Sequence, residues 1–197
     1  MKISKRAQDV PASATIAVTS RAQELKSQGV DVVGFGAGAP DFDTPDYIKE
    51  AAIEALKAGM TKYTAASGII ELRKAIAKKL QEENGLQYAP EQVIVNIGGK
   101  HSVYEAMQAV LDPGDEVILP TPYWVTYPET VKLAGAVPKI VETDKSTGYK
   151  ITPAQLKEAI TGKTAMIVIN SPNNPGGFTC LLYTSPSPRD LSTSRMP

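Results

Sequence analysis

Three short stretches hold residues of the type and spacing that chemistry needs. The first is Gly98-Gly99-Lys100 with Ser102. It stands between the apolar run 93–97 and a segment with apolar residues at Val103, Ala106, Met107, Val110 and Leu111. That spacing of i, i+3, i+4, i+7 and i+8 predicts one buried helical face, so residues 92–111 read as strand, glycine turn and helix. Such a turn leaves backbone N–H groups unpaired at the helix start. With the positive end of the helix dipole they make a seat for an anion, most often a phosphate. Glycine lets the anion come close to the backbone, Lys100 adds a charge and Ser102 a hydroxyl. A plain glycine turn ahead of a core helix explains these residues equally well, so the other two stretches decide. They are residues 120–124, PTPYW, and 171–177, SPNNPGG, each irregular and each placed after an apolar run.

Other constellations lead elsewhere or nowhere. Gly34, Gly36 and Ala39 match the loose G-x-G-x-x-A dinucleotide pattern. That fingerprint opens a helix directly, whereas this one runs into Pro40-Asp41-Phe42-Asp43, so it is rejected. Gly38 beside Pro40 still marks tight backbone near something that must come close. Asp112 and Asp115 are accounted for by a Pro-Gly turn, with no further acid or histidine at ligand spacing, so no metal site is expected. His101, the only histidine, falls in the first helical turn, a capping or surface position. Asn173 reads as a plain turn residue.

These stretches need elements to position them. Residues 15–28 predict a helix, with Ile16, Val18, Ala22 and Leu25 on or near one face and Gly29 as the stop. Residues 31–33 predict a short strand. Thr44 as N-cap and Pro45 at the first helical position start a second helix, with Ile48, Ala52 and Leu56 as its face and Gly59 as its end. A third covers 69–82, burying Ile69, Leu72, Ile76 and Leu80, leaving Lys74, Lys78, Lys79 and Glu82 wet, and closing at Asn84-Gly85. Strands are predicted at 116–119, at 136–141 (an edge strand, because Pro138 removes a ladder donor) and at 165–170. The last is a continuous apolar run, as expected where helices cover both faces. Helices are predicted at 124–134, interrupted near Pro128, and at 154–160, capped by Thr152-Pro153. Alternating helices and buried strands imply a three-layer α/β/α domain with a mostly parallel sheet. Ligands of such sheets sit outside the carboxyl ends of the strands, where these three loops converge.

Bulk properties exclude several classes. The 197 residues carry 21 basic and 21 acidic side chains, so charge gives no argument for nucleic acid or a membrane surface. No apolar run is long enough to span a bilayer, and the basic N-terminus lacks the apolar core of a signal peptide; a cytoplasmic protein is expected. Cys180, the only cysteine, excludes a disulfide framework. Composition changes abruptly after Thr179, into CLLYTSPSPRDLSTSRMP. Its opening residues are what the DNA string TGTCTCTTATACACATCT encodes, which resembles a transposase-type library adapter. Residues 180–197 are therefore read as a translated, non-native tail, and the natural chain as continuing past Thr179.

Taken together, GAPDFDTP, KYTAASGIIELRKAIAKKL, GGK, LDPGDEVILPTPYWVTYPE and SPNNPGG resemble one family. It is the pyridoxal-phosphate-dependent aminotransferases of fold type I, class I, nearest the bacterial and archaeal aspartate aminotransferase-like branch. The resemblance runs from about Ser13 to Gly177. It implies an N-terminal arm and small-domain segment over 1–45 and the first part of the cofactor-binding large domain over 46–179, truncated there. It further implies that Gly99 and Lys100 hold the phosphate of pyridoxal 5′-phosphate, that Trp124 stacks on its ring, and that Asn174 donates a hydrogen bond to its 3′ oxygen. Gly38, with Trp124 and Asn174, would meet the substrate, Gly38 through its backbone N–H to the carboxylate. Tyr63 would reach the phosphate of the neighbouring subunit in a homodimer. The peptides before Pro122 and Pro175 are expected to be cis, and Gly176 stands where the family usually has threonine.

The activity implied for the complete protein is transfer of an amino group from an L-amino acid, with a leaning to aspartate, to a 2-oxo acid. The Schiff-base lysine, the aspartate that pairs with the ring nitrogen and the arginine that grips the substrate carboxylate lie downstream in the family. No catalytic residue is therefore assigned in residues 1–179, and the chain is expected to be inactive and prone to aggregate. Rival readings are a C–S lyase or aminocyclopropane-carboxylate synthase on the same scaffold and a phosphate-ligand-binding α/β protein without this cofactor. A transcription regulator carrying an aminotransferase-like module would need a DNA-binding domain in front, for which no room is expected.

Overall fold

The computed structural model describes residues 2–36, 38 and 41–179. The composition break and the tail at 180–197 lie outside the described residues. In chain order the helices are α1 (Lys5–Gln8), α2 (Ala14–Ser27), α3 (Asp46–Lys57), α4 (Ile70–Asn84), α5 (Gly99–Val110), α6 (Thr126–Leu133) and α7 (Pro153–Ala159). The strands are β1 (Glu116–Pro120), β2 (Val137–Val141) and β3 (Thr164–Ile167). The described residues fall into two compact units: those within 11–65 form one, and 2–10 with 66–179 form the other.

The smaller unit contains α2 and α3. Ser13 caps α2 by accepting from the Ile16 amide. Helix α3 starts one residue later than the sequence suggests. Pro45 occupies the N-cap position without a side-chain bond, Thr44 lies outside, and Asp46 faces the helix dipole from the first turn. Its expected apolar face is present but uncovered, for Ile48, Ala52 and Leu56 are all exposed. The predicted strand at 31–33 is not one, because no neighbouring segment pairs with it.

The larger unit is built on a parallel sheet in the order β2-β1-β3. β1 lies in the middle, and its side chains alternate between two cores. Val117 and Leu119 pack with Met107 of α5, Leu111 just beyond it and Val131 of α6, while Ile118 packs with Ile151 and with Leu156 and Ala159 of α7. Helices thus cover both faces, giving the expected three-layer α/β arrangement. The chain order explains the layers. β1 passes through α6 to β2 on one side, and β2 returns through α7 across β1 to β3. Crossovers of one hand that run opposite ways along a sheet land on opposite faces.

Several local expectations hold. β2 is an edge strand with Pro138 in it. Gly85 ends α4 in the left-handed conformation at φ 68°. Thr152 and Gln155 form a capping box on α7. Other expectations need correction. Pro128 does not interrupt α6, because it sits in the first turn, where its missing N–H would have no helical partner. Residues 93–97 are not a strand, although Val93 is buried: the Val95 amide bonds the Ser67 carbonyl, and Arg73 Nε donates to the Pro90 and Val93 carbonyls. β3 is shorter than predicted and only partly buried. It pairs with β1 alone, and Ile169 just beyond it is exposed. On α5, Val103, Met107 and Leu111 face the core, whereas Ala106 and Val110 are exposed. On α4 the buried position is Ala77, with Ile76 and Leu80 half-buried and Leu72 exposed.

Candidate functional site

β1 and β3 are parallel neighbours, so the loops that follow them leave the same edge of the sheet. After β1, Thr121 fastens the chain to the end of β2. Its amide bonds the Val141 carbonyl at 2.9 Å, its hydroxyl accepts from the Thr143 amide at 2.8 Å, and the Thr143 hydroxyl bonds its carbonyl. The Thr121-Pro122 peptide is cis, as expected. Tyr123 then turns into the core and Trp124 is left half-buried at the edge. Its indole meets Tyr127 edge-on at 5.6 Å, and burial pushes the Tyr127 phenol up from its ordinary value.

The loop after β3 is organised by Asn173, which the sequence reading takes for a plain turn residue. Its side-chain Nδ2 donates to the Pro122 carbonyl at 3.0 Å, and its Oδ1 accepts from the Gly176 amide at 2.9 Å. Its own amide and carbonyl bond Phe178 and Gly177, each at 2.8 Å. One side chain therefore turns the loop and ties it to the loop after β1. The available signal is an Asn three residues ahead of a glycine, the pattern in which a side-chain amide replaces a backbone turn bond. Asn174 beside it is exposed, and its side chain makes no hydrogen bond among the described residues; its amide is held by Asn170 Oδ1 at 2.8 Å. The Asn174-Pro175 peptide is cis as expected, and Ser171-Pro172 is cis as well. A Cβ on Gly176 would run into the Phe178 ring, which stacks on Tyr149 at 5.9 Å, so glycine suits this loop as it stands.

The third component is the start of α5. Gly98 has φ 94° and ψ 161°, a conformation open to glycine and costly for other residues. The Gly98 carbonyl accepts from the His101 and Ser102 amides, so the helix ladder begins there. The Gly99 and Lys100 amides ahead of them have no backbone acceptor among the described residues. An added Cβ on Gly98 or Gly99 would meet nothing within 4 Å, so the approach is open. Ser102 does not contribute its hydroxyl, which bonds the Gly98 carbonyl and the Asn96 side chain and braces the turn. His101 lies along the helix surface, its Nε2 3.2 Å from Glu105. The Asp112–Asp115 turn is internally bonded, with the Asp115 carboxylate accepting from the Asp112 amide at 2.8 Å.

Lys100 joins this helix start to the loop after β1, for its ammonium lies 5.2 Å from the centre of the Trp124 ring. The predicted site residues of the larger unit are thus gathered at one sheet edge. Gly99 and Lys100 reach Trp124 through the Lys100 side chain, and the loop of Asn174 reaches it through Asn173 and Pro122. Gly38 and Tyr63 belong to the smaller unit, where both are exposed. Ala37, Ala39 and Pro40 beside Gly38 lie outside the described residues. Two free amides and an ammonium suit an anion, and a half-buried indole beside them suits a flat ring. The donor set therefore fits a ligand that carries a phosphate on an aromatic ring.

The fold is an α/β arrangement whose strand-end loops bring Lys100 and Trp124 together. Comparison with known proteins makes the class specific. The aminotransferase class I and II family matches residues 30–182, and the chain belongs to that family. It is 52% identical over 185 residues to an aspartate aminotransferase of Geobacillus stearothermophilus, covering 94% of this chain and 46% of that protein. It is 56% identical over 168 residues to an aspartate/prephenate aminotransferase of Cereibacter sphaeroides, covering 85% and 42%. Among solved structures, the aspartate aminotransferase of Rhizobium meliloti matches with TM-score 0.88 and 41% identity over 93% of this chain and 46% of that one. The Thermus thermophilus enzyme with maleate matches with TM-score 0.85 and 51% identity over 89% and 46%. The chain spans about half the length of the curated relatives it matches, the N-terminal half. Among the described residues no helix is long and apolar enough to cross a membrane.

Proposed function

We propose that the complete protein is a cytoplasmic, homodimeric aminotransferase of amino acid biosynthesis that uses pyridoxal 5′-phosphate. It moves the amino group of an L-amino acid, with aspartate the favoured donor, to a 2-oxo acid. In this reading residues 1–45 are the arm and small-domain segment, 46–179 open the large domain, and 180–197 are non-native. The observation that supports it is the meeting of the α5 start, Trp124 and the 171–178 loop at one sheet edge, in a chain about half identical to aspartate aminotransferases. Membership of the family weighs against a phosphate-binding protein without this cofactor.

When bound, the cofactor supplies an electron sink that lets the α-proton of an amino acid leave. The residues of this chain bind and orient. The Gly99 and Lys100 amides, at the positive end of α5, hold the phosphate. Trp124 would stack on the flat ring. The Asn174 amide donates to the ring oxygen and favours its ionised form. Gly38 offers its backbone N–H to the substrate carboxylate, and Tyr63 reaches the phosphate held by the second subunit. The resemblance implies that the residues which hold and move the proton at the α-carbon come after Thr179, so the 197-residue chain is expected not to transaminate. The test is to express the gene with its native continuation past Thr179 and assay amino transfer from aspartate to 2-oxoglutarate. Turnover with the long chain and none with the 197-residue chain is expected; turnover by the short chain refutes the assignment of roles.

A further inference from the structure

Residues 93–97 lead into the turn at Gly98 with no strand neighbour among the described residues, so something other than a ladder must fix their place. Helix α4 supplies it. Arg73 stands on the buried side of α4, with Ile76, Ala77 and Leu80 following at i+3, i+4 and i+7. Its Nε–H donates to two carbonyls at once, Pro90 at 2.9 Å and Val93 at 3.0 Å. The first opens the 3₁₀ turn Pro90–Gln92 and the second lies just past it, so one donor holds both ends of that turn. No carboxylate pairs with Arg73 among the described residues, which leaves these carbonyls as its partners. Two residues on, the Val95 amide donates to the Ser67 carbonyl at 3.0 Å. Gly68 beside it has φ 96°, and a Cβ there would come within 2.8 Å of the Val95 side chain, so the two segments cross in contact. Only Asn96 and Ile97 then separate the held segment from the turn. Asn96 is itself tied to that turn, its carbonyl accepting from the Gly98 amide and its side chain donating to Ser102.

We propose that Arg73 is a positioning residue that takes the place of a strand neighbour for residues 90–95 and so sets where α5 begins. From that start Lys100 reaches the Trp124 indole at 5.2 Å. The acting group is the Nε–H donor rather than the charge. Side-chain length makes this separable, because Nε is the atom after Cδ. Glutamine carries its amide nitrogen at that place without a charge, and methionine carries a methyl group there without a donor. Losing the donor leaves two carbonyls unpaired and should speed local opening of the segment about ten- to a hundredfold. The inference goes beyond the proposed function and concerns the unliganded chain, whatever the start of α5 binds.

The experiment compares the 197-residue chain with its Arg73→Gln and Arg73→Met variants by amide hydrogen exchange, read on peptides covering 92–98 and 116–120. For Arg73→Met, exchange at 92–98 is expected to be about ten- to a hundredfold faster and exchange at 116–120 unchanged. Arg73→Gln should exchange like the parent in both. Trp124, the only tryptophan in the chain, gives the second readout. Adding Lys100→Met should shift its emission in the parent and in Arg73→Gln, and leave it unchanged in Arg73→Met, where the contact is already lost. Parent-like exchange at 92–98 in Arg73→Met overturns the clamp, and exchange in Arg73→Gln as fast as in Arg73→Met overturns the role of the Nε donor. Faster exchange at 116–120 as well as at 92–98 makes the effect global and overturns positioning. The same Lys100→Met shift in all three backgrounds overturns the link from Arg73 to the contact with Trp124.

Discussion

Adjacent asparagines in the 171–178 loop should fail in opposite ways. Asn173 makes two side-chain hydrogen bonds, to the Pro122 carbonyl at 3.0 Å and from the Gly176 amide at 2.9 Å, and is half-buried. A typical intramolecular hydrogen bond contributes about 0.5–1.5 kcal/mol net. Asn173→Ala removes two and leaves a carbonyl and an amide that water can partly satisfy, so the expected loss is about 1–2 kcal/mol. With a urea slope of about 1–3 kcal/mol per molar, the unfolding midpoint should fall by roughly 0.3–2 M. Asn174→Ala removes a side chain that makes no hydrogen bond within the described chain, so its stability should stay within about 0.5 kcal/mol of the parent. In the proposed role Asn174 meets the cofactor ring, and its alanine variant should bind pyridoxal phosphate more weakly while unfolding normally. The assay is urea unfolding followed by Trp124 emission, with cofactor binding measured in parallel. A midpoint for Asn173→Ala equal to that of Asn174→Ala would refute the view that Asn173 builds the loop and Asn174 serves the ligand.

Further substitutions probe the frame and the seat. Leu119→Ala removes a side chain that is 1% exposed at the centre of the sheet and should cost about 2–5 kcal/mol in denaturant unfolding. Thr152→Ala breaks the capping box of α7 and should cost about 1 kcal/mol by the same measurement. Gly98→Ala meets no neighbour but must adopt φ 94°; a cost of about 1–3 kcal/mol and weaker pyridoxal phosphate binding by calorimetry are expected. The Glu116 carboxyl is held below its ordinary value, chiefly by the Thr161 hydroxyl and also by Lys139, with burial opposing both. A depressed carboxylate contributes stability above its unfolded value and loses it as pH falls towards its folded one. Thr161→Val should therefore move acid unfolding to higher pH, and an unchanged acid limb would count against this bond.

The central frame was legible because each signal stood on short-range chemistry. Pro138 placed β2 at an edge, Gly85 closed α4, Thr152 opened α7, and the apolar run after a Pro-Gly turn announced the strand at 116–119. The loops at the strand ends were legible for the same reason, since Pro, Asn and Gly cluster where the backbone departs from regular structure. What misled was pairing and coverage, which are not local. Residues 93–97 and 165–170 have strand composition, yet a strand exists only where a neighbour completes its ladder. Among the described residues the first has none and the second only β1. The stripe Ile48–Leu56 is amphipathic, yet burial needs an opposing surface, and the described chain offers none. Pro128 misled for a positional reason: the helix starts two residues before it, so its effect is that of a first-turn proline. Asn173 was undervalued because its bond to the Pro122 carbonyl crosses to another loop 51 residues away, where sequence spacing carries no information.

The measurement that bears most directly on the assigned activity is a single half-reaction of the complete protein. The gene with its native continuation past Thr179 is expressed, the protein is loaded with pyridoxal phosphate, and L-aspartate is added without any 2-oxo acid. The account predicts one equivalent of oxaloacetate per site and no free ammonia, because the amino group stays on the enzyme until an acceptor arrives. Ammonia release, repeated turnover without an acceptor, or no keto acid at all would contradict aspartate amino transfer as the reaction of this site.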